Sequence, residues 1–337
     1  MAFERRLING VAQVKTYEDV LAQTCARSVM DVDAIDARAR GMVVEATGGV
    51  AVAAAAAAAV ATARGRGEEE ASGGEIQLSF EDARLLALLR WFKQDFFTWV
   101  NVPSCAWCAS TTTTMTLDRI ETREMTAEER EGEAGRVEVY ACDACGLHTR
   151  FPRYNNAVKL LETRRGRCGE WANAFTLCCR ALGYRARWVC DWTDHVWTEV
   201  YSEAQQRWLH CDPCEDVCDK PLLYEVGWGK SELSYIIAFS IEGVVDVTKR
   251  YTRDIGARYR RRGEVYEPWL RERLALLTEG MRAEMLPSEI EKLKTEDELE
   301  RQELERPAMD VGESLPGRST GSYAWRAARG ELGNQNS

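Results

Sequence analysis

Apolar residues recur at helical spacing in two stretches of the chain and alternate in several shorter ones. Leu85, Leu86, Leu89, Phe92, Phe96 and Val100 fall three or four apart, Ser79 with Asp82 resembles a capping box, and Pro103 lies just beyond. The spacing predicts a long amphipathic helix whose stripe faces a core. Asn156 to Arg164 predicts a short helix with Asn156 as its N-cap. Cys168 to Leu182 predicts a stronger one, with Trp171, Phe175, Cys178 and Leu182 on one stripe and Gly183 placed to end it. Strand-like runs follow at Arg185–Asp191, His195–Tyr201, Arg207–Cys211, Tyr235–Phe239 and Val244–Val247, the last two around a turn at Glu242-Gly243. A helix followed by consecutive strands on short connections predicts an α+β fold with an antiparallel sheet.

The pattern weakens on both sides of this core, which is expected to span residues 76–266 with an insert at 101–150. Residues 1–75 read as a low-complexity, solvated extension: a helix over Thr16–Asp36, an alanine-rich tract over Gly48–Ala63, then a linker of glycines and glutamates to Gly74. Residues 267–306 are charged and helical in pattern, with opposite charges three or four apart. Residues 307–337 are rich in Gly, Ser, Arg and Asn, and are expected to be a mobile tail.

A hydrophobic fraction of 45% and a net charge of −10 fit a soluble globular protein, and that charge argues against nucleic acid as a general partner. Met1–Gly10 has no apolar signal core, and the alanine tract is too short to span a membrane. A cytoplasmic or nuclear protein without membrane insertion is expected. Twelve cysteines in such a protein are reduced thiols, metal ligands or a nucleophile rather than disulfides.

Cys105–Cys108 and Cys142–Cys145 form two CxxC pairs. A two-residue spacer lets both thiolates of a knuckle face one ion, and two knuckles complete a four-cysteine site suited to structural Zn2+. His148 is a weaker alternative ligand, since four cysteines already saturate the ion.

Cys168 opens a predicted helix within Gly166-Arg-Cys-Gly-Glu-Trp171. Free backbone N–H groups and the helix dipole favour a thiolate there, with Arg164, Arg165 and Arg167 adding positive charge. Such a nucleophile needs a base and an orienting group. Strand alternation puts His210 and Asp212 on one face, so spacing alone gives His195 only a slight preference over His210.

Arg90-Trp-Phe-Lys-Gln-Asp-Phe-Phe97, Arg150-Phe-Pro-Arg-Tyr-Asn155, Gly166-Arg-Cys-Gly-Glu-Trp171, Asp194-His-Val-Trp197, Arg207-Trp-Leu-His-Cys-Asp212 and Ser234-Tyr-Ile-Ile-Ala-Phe239 occur in that order. Across residues 80–255 the chain resembles the cytoplasmic peptide:N-glycanases of the transglutaminase-like superfamily. The resemblance implies a transglutaminase-like (papain-like) cysteine amidase core with a small four-cysteine zinc-binding subdomain and helical extensions. It implies Cys168 as nucleophile, His195 as general base and acid, Asp212 as orienting carboxylate, and Cys105, Cys108, Cys142 and Cys145 as zinc ligands. It also implies Arg187, Trp197, Trp208, Glu215 and Trp228 as glycan-facing residues, although a single tryptophan is more often core than sugar platform.

The implied reaction cleaves the amide between Asn and the proximal N-acetylglucosamine of N-glycans on misfolded glycoproteins. The implied setting is endoplasmic-reticulum-associated degradation, with a proteasomal ubiquitin-shuttle protein as partner. A transglutaminase-type acyl transferase and a catalytically silent quality-control scaffold are the competing readings; amine incorporation or the absence of thiol-dependent glycan release would distinguish them.

Overall fold

A computed structural model describes residues 2–64, 78–108, 114–230, 232–306 and 314–333, the side chains of 49–64 excepted. The expected linker and most of the alanine tract's side chains therefore lie outside the described residues.

The chain opens with three helices, α1 (Ala2–Thr16), α2 (Val20–Val29) and α3 (Val32–Arg64). The single helix expected over Thr16–Asp36 is broken twice. Asp19 and Asp31 supply the new starts, each accepting a backbone N–H three residues on, from Ala22 at 2.8 Å and Ala34 at 3.1 Å. Nor are these helices a solvated extension. Phe3, Leu7, Val14, Tyr17, Ala26 and Ile35 are buried in the main core, where each large apolar side chain contributes on the order of 1.5–3 kcal/mol. α1 packs on the central sheet, α2 on the helix that carries Cys168, and α3 on the helix that follows it in sequence. Polar contacts fix the docking: Tyr17 donates to Asn173 at 2.8 Å and Arg180 pairs with Glu18.

α4 (Phe80–Trp91) starts on Ser79, which accepts the Asp82 N–H as expected, but the helix does not run to Val100. It widens into a π turn at Phe92–Phe96 and becomes extended at Phe97, giving a short strand β1 (Thr98–Trp99). The chain leaves the helix because backbone partners wait beside it: Thr98 N–H donates to Arg164 O at 2.8 Å and Val100 N–H to Gly166 O at 3.0 Å. A three-stranded antiparallel sheet follows, made of β2 (Met115–Glu121), β3 (Ala134–Cys142) and β4 (His148–Tyr154), with α5 (Ala127–Glu131) between the first two.

α6 (Ala157–Thr163), capped by Asn156, leads through β5 (Arg165–Gly166) into α7 (Cys168–Ala181). The strands β6 (Ala186–Asp191), β7 (His195–Ser202), β8 (Arg207–Asp212), β9 (Val217–Cys218), β10 (Ile236–Ser240) and β11 (Gly243–Asp246) pair antiparallel in the order β11-β10-β6-β7-β8-β9. α7 lies across β6 and β7 with Phe175, Leu177 and Cys178 buried beneath it. Cys168, at its first residue, thereby faces the strands that carry His195 and Asp212.

The charged segment is two helices after α8 (Ile255–Arg261), namely α9 (Glu267–Arg282) and α10 (Pro287–Glu305), each with proline in its first turn. The described part of the tail, residues 314–333, contains α11 (Tyr323–Ala328) and is tied down rather than free. Arg318 and Glu331, both 1% exposed, form an ion pair at 2.8 Å, and Glu215 accepts the Ser319 N–H at 2.7 Å.

Candidate active site and cysteine cluster

α7 begins at Cys168 because Arg167 is extended and the Glu170 carboxylate accepts its N–H at 3.0 Å. Gly166 is required here, since a Cβ would lie 2.4 Å from Cβ of Glu170. The first-turn N–H groups and the dipole of α7 then favour negative charge on Cys168. Two of the three nearby arginines are engaged elsewhere. Arg167 is consumed by Glu138 at 2.7 Å and the Asn101 carbonyl at 2.8 Å, while Arg164 lies over the Phe96 ring.

His195 opens β7 and Asp212 closes β8; both are fully buried, with His195 Nε2 2.8 Å from Asp212 Oδ2. Asp212 is held on three sides, since the Tyr224 hydroxyl reaches Oδ2 at 3.0 Å and the Cys214 N–H donates to Oδ1 at 2.8 Å. His195 Nδ1 has no hydrogen-bond partner among the described residues, which leaves it for the half-buried Cys168 thiol.

The electrostatics favour the thiolate and imidazolium forms of these groups. Burial alone would raise the Cys168 pKa, but the His195 ring and then Arg318 outweigh it and the net shift is downward. Burial alone would lower His195, yet the Asp212 charge and hydrogen bond carry it above its ordinary value. Asp212 is buried too, and His195 nevertheless holds it well below the usual carboxylate range.

His210 is the neutral histidine. Burial pushes it down to about 4, and its Nε2 meets the Tyr224 hydroxyl at 2.7 Å rather than Asp212. A carboxylate can only accept, so Tyr224 donates to Asp212 and His210 Nε2–H donates to Tyr224. The strand-face argument for a His210–Asp212 pair therefore fails by one side chain: Tyr224 is inserted between them.

The residues expected to face glycan are placed otherwise. Arg187 is 2% exposed and bonds Glu199 at 2.6 Å and Glu300 at 3.0 Å, in a buried network with Arg250 that ties α10 to the sheet. Trp197 is buried with its indole N–H on Tyr251, and Trp208 is buried with Arg187 over its ring. Trp228 is buried edge-on to His195, with ring centroids 4.9 Å apart. Glu215 is taken by the tail at Ser319 and Thr320. Beside Gly169, a cleft of about 630 Å3 is lined instead by Asn9, Gln13, Glu170, Trp188 and Trp192.

Cys105, Cys108, Cys142 and Cys145 converge, their sulfurs all within 4.8 Å of one another, at the end of the three-stranded sheet. The Cys105–Cys145 and Cys108–Cys142 separations are 3.7 and 3.6 Å, close to the ~3.8 Å edge of a tetrahedron with 2.3 Å metal–sulfur bonds. The Trp107 N–H points back at Cys105 Sγ, as a knuckle requires. The four residues form a cluster able to hold a metal ion. His148 stands apart, 3.2 Å from Asp118.

Residues 118–213 match the model of the transglutaminase-like superfamily, and residues 192–305 that of the Rad4 transglutaminase-like domain. The chain is 54% identical over 256 residues to a peptide-N(4)-(N-acetyl-beta-glucosaminyl)asparagine amidase of Mus musculus, an alignment covering 76% of this chain and 39% of that protein. It is 42% identical over 335 residues to the protein of that name from Arabidopsis thaliana, covering 98% and 42%. It is 43% identical over 266 residues to that from Yarrowia lipolytica, covering 79% and 73%. The chain thus spans about two fifths of the mouse and plant relatives.

Proposed function

We propose that this chain, which belongs to the peptide-N(4)-(N-acetyl-beta-glucosaminyl)asparagine amidase family, hydrolyses the side-chain amide joining asparagine to the first N-acetylglucosamine of an N-glycan. The buried His195–Asp212 pair at 2.8 Å, with its second ring nitrogen left for Cys168, carries this reading. The Cys168 thiolate attacks the amide carbonyl carbon, and the first-turn N–H groups of α7 receive the developing oxyanion charge. Imidazolium His195 gives its proton to the departing glycosylamine nitrogen as the C–N bond breaks, leaving a thioester on Cys168. Neutral His195 then takes a proton from water, whose oxygen displaces the sulfur. Aspartate remains in the polypeptide, and the sugar leaves as a 1-amino glycan.

In this reading the cysteine cluster holds zinc, which suits four thiolates in tetrahedral array and serves structure. The ion would fix the end of β3, from which Glu138 reaches Arg167 beside the nucleophile. Misfolded cytoplasmic or nuclear glycoproteins destined for the proteasome, and a ubiquitin-shuttle partner, complete the proposal on the family resemblance. Glycan release from a denatured glycopeptide tests it: wild type should release glycan, and Cys168→Ala, still folded, should release none. Equal release by both proteins refutes the assignment.

A further inference from the structure

Of the arginines beside Cys168 in sequence, Arg167 is bonded to Glu138 and Asn101 and Arg164 lies over Phe96. Arg318 is a cation brought to the site from elsewhere in the chain. Its guanidinium is buried in a cage of three indole rings, 4.5 Å from Trp228, 4.7 Å from Trp325 and 5.1 Å from Trp99. Two walls of this cage belong to the active site itself. Trp228 packs edge-on against His195, and Trp99 pairs with Gly166, two residues before the nucleophile. The C-terminal segment forms the third wall and locks the charge in place: Glu331 takes Nη1 at 2.8 Å and Thr320 takes Nε at 3.2 Å. Nη2 is buried without a hydrogen-bond partner among the described residues. Placing a guanidinium in such a site costs desolvation that only a nearby anion offsets.

We propose that Arg318 is a positioning residue of the active site: held by residues 316–333, it supplies the standing positive charge that keeps Cys168 ionised beside His195. The inference rests on Cys168 being the nucleophile. The field of Arg318 lowers both Cys168 and Asp212, and the Cys168 charge in turn helps to raise Arg318. Other groups facing the sulfur act differently: Asp194 opposes ionisation, and Cys190 and Cys214 are thiols that burial pushes up. Around Arg318, Glu331 is shared with Arg329, which also pairs with Asp194 at 2.7 Å. The tail thus both brings a cation to the sulfur and offsets the acid beside it.

The experiment follows alkylation of Cys168 in the full chain by iodoacetamide across pH, read by mass spectrometry of the peptide bearing that residue. It requires no glycan substrate, so its outcome is separable from the outcome of the glycan-release assay. Removing a nearby opposite charge typically moves a pKa by about one unit or more. Arg318→Met is therefore expected to slow alkylation about tenfold at acid pH and to shift the profile upward, while Arg318→Lys restores most of the wild-type profile. Glu331→Gln, which keeps the guanidinium and removes its counter-charge, is expected to shift the profile the other way, and it decides the matter if Arg318→Met does not fold. Unchanged profiles in folded Arg318→Met, or an upward or absent shift in Glu331→Gln, overturn the proposal.

Discussion

Asp212→Asn separates the charge of the orienting group from its shape. The Cys214 N–H can only donate, so the asparagine must keep its oxygen at the Oδ1 position, where that bond is 2.8 Å. The new NH2 then falls at Oδ2 and donates to His195 Nε2 and to the Tyr224 oxygen. His195 must accept there, which moves its proton to Nδ1, the nitrogen that has to take the thiol proton. Tyr224 can turn its own proton toward His210 Nε2, whose proton then moves to Nδ1, a nitrogen already without a partner, so the bonds around position 212 are kept and the fold survives. The opposite flip restores the useful tautomer but sets NH2 against the Cys214 N–H, an unmade buried bond costing about 1–3 kcal/mol. That alone leaves the reactive arrangement on the order of 10- to 100-fold rarer. Loss of the carboxylate charge that raises His195 comes in addition, and a wrong-tautomer variant of a related triad loses about 10^4 in kcat. We expect kcat for release of glycan from a denatured glycopeptide to fall about 10^3- to 10^4-fold, or roughly 4–5.5 kcal/mol of barrier, with little change in thermal midpoint. A folded variant within tenfold of wild type would refute the orienting role.

Zinc content should be one ion per chain, and Cys105→Ala should lower it and the thermal midpoint together; full metal in that variant would show that Cys105 is not a ligand. His210 has a folded pKa of about 4 against about 6.5 when unfolded. Between these values the unfolded chain binds the extra proton, so this group's contribution to stability falls as pH drops through the window, by up to about 3 kcal/mol. Denaturant melts at pH 7 and pH 4 should show wild type losing more than His210→Gln, a variant that retains a bond to Tyr224; equal losses would mean that His210 is not held neutral.

What was legible in the sequence was local. Helix α7 could be read from Trp171, Phe175 and Cys178, and its start from the glycines around Cys168, because spacing and capping are encoded within a few residues. Five of the six strands of the central sheet fall within a residue of where alternation put them, and β9 (Val217–Cys218) was missed. The cysteine cluster was legible because each CxxC pair carries its own geometry. α1 was missed although Phe3, Leu7 and Val14 mark a helical stripe, since its burial depends on a sheet whose first strand begins only at Ala186. The tail was missed for a stronger reason. Residues 314–333 have few apolar side chains, and what orders them is Arg318 with Glu331 and Glu215 with Ser319, pairs that no periodicity announces.

The burial of Trp197, Trp208 and Trp228 changes what these residues do for the reaction. An indole that is fully enclosed offers no face to a sugar ring, but it can fix an imidazole that must not rotate. Trp228 stands edge-on to His195 at 4.9 Å, Trp197 stacks near it at 5.7 Å, and Tyr224 closes a third side at 5.0 Å. With Nε2 held by Asp212, the ring is left one orientation, in which Nδ1 is free of any other partner among the described residues. Behind Trp197, Tyr251 joins its indole N–H to Glu199, and Glu199 belongs to the ion network that anchors α10. Trp197 and Trp228 thus act as the wall of His195, and α10, anchored through Glu199, acts as the support of that wall.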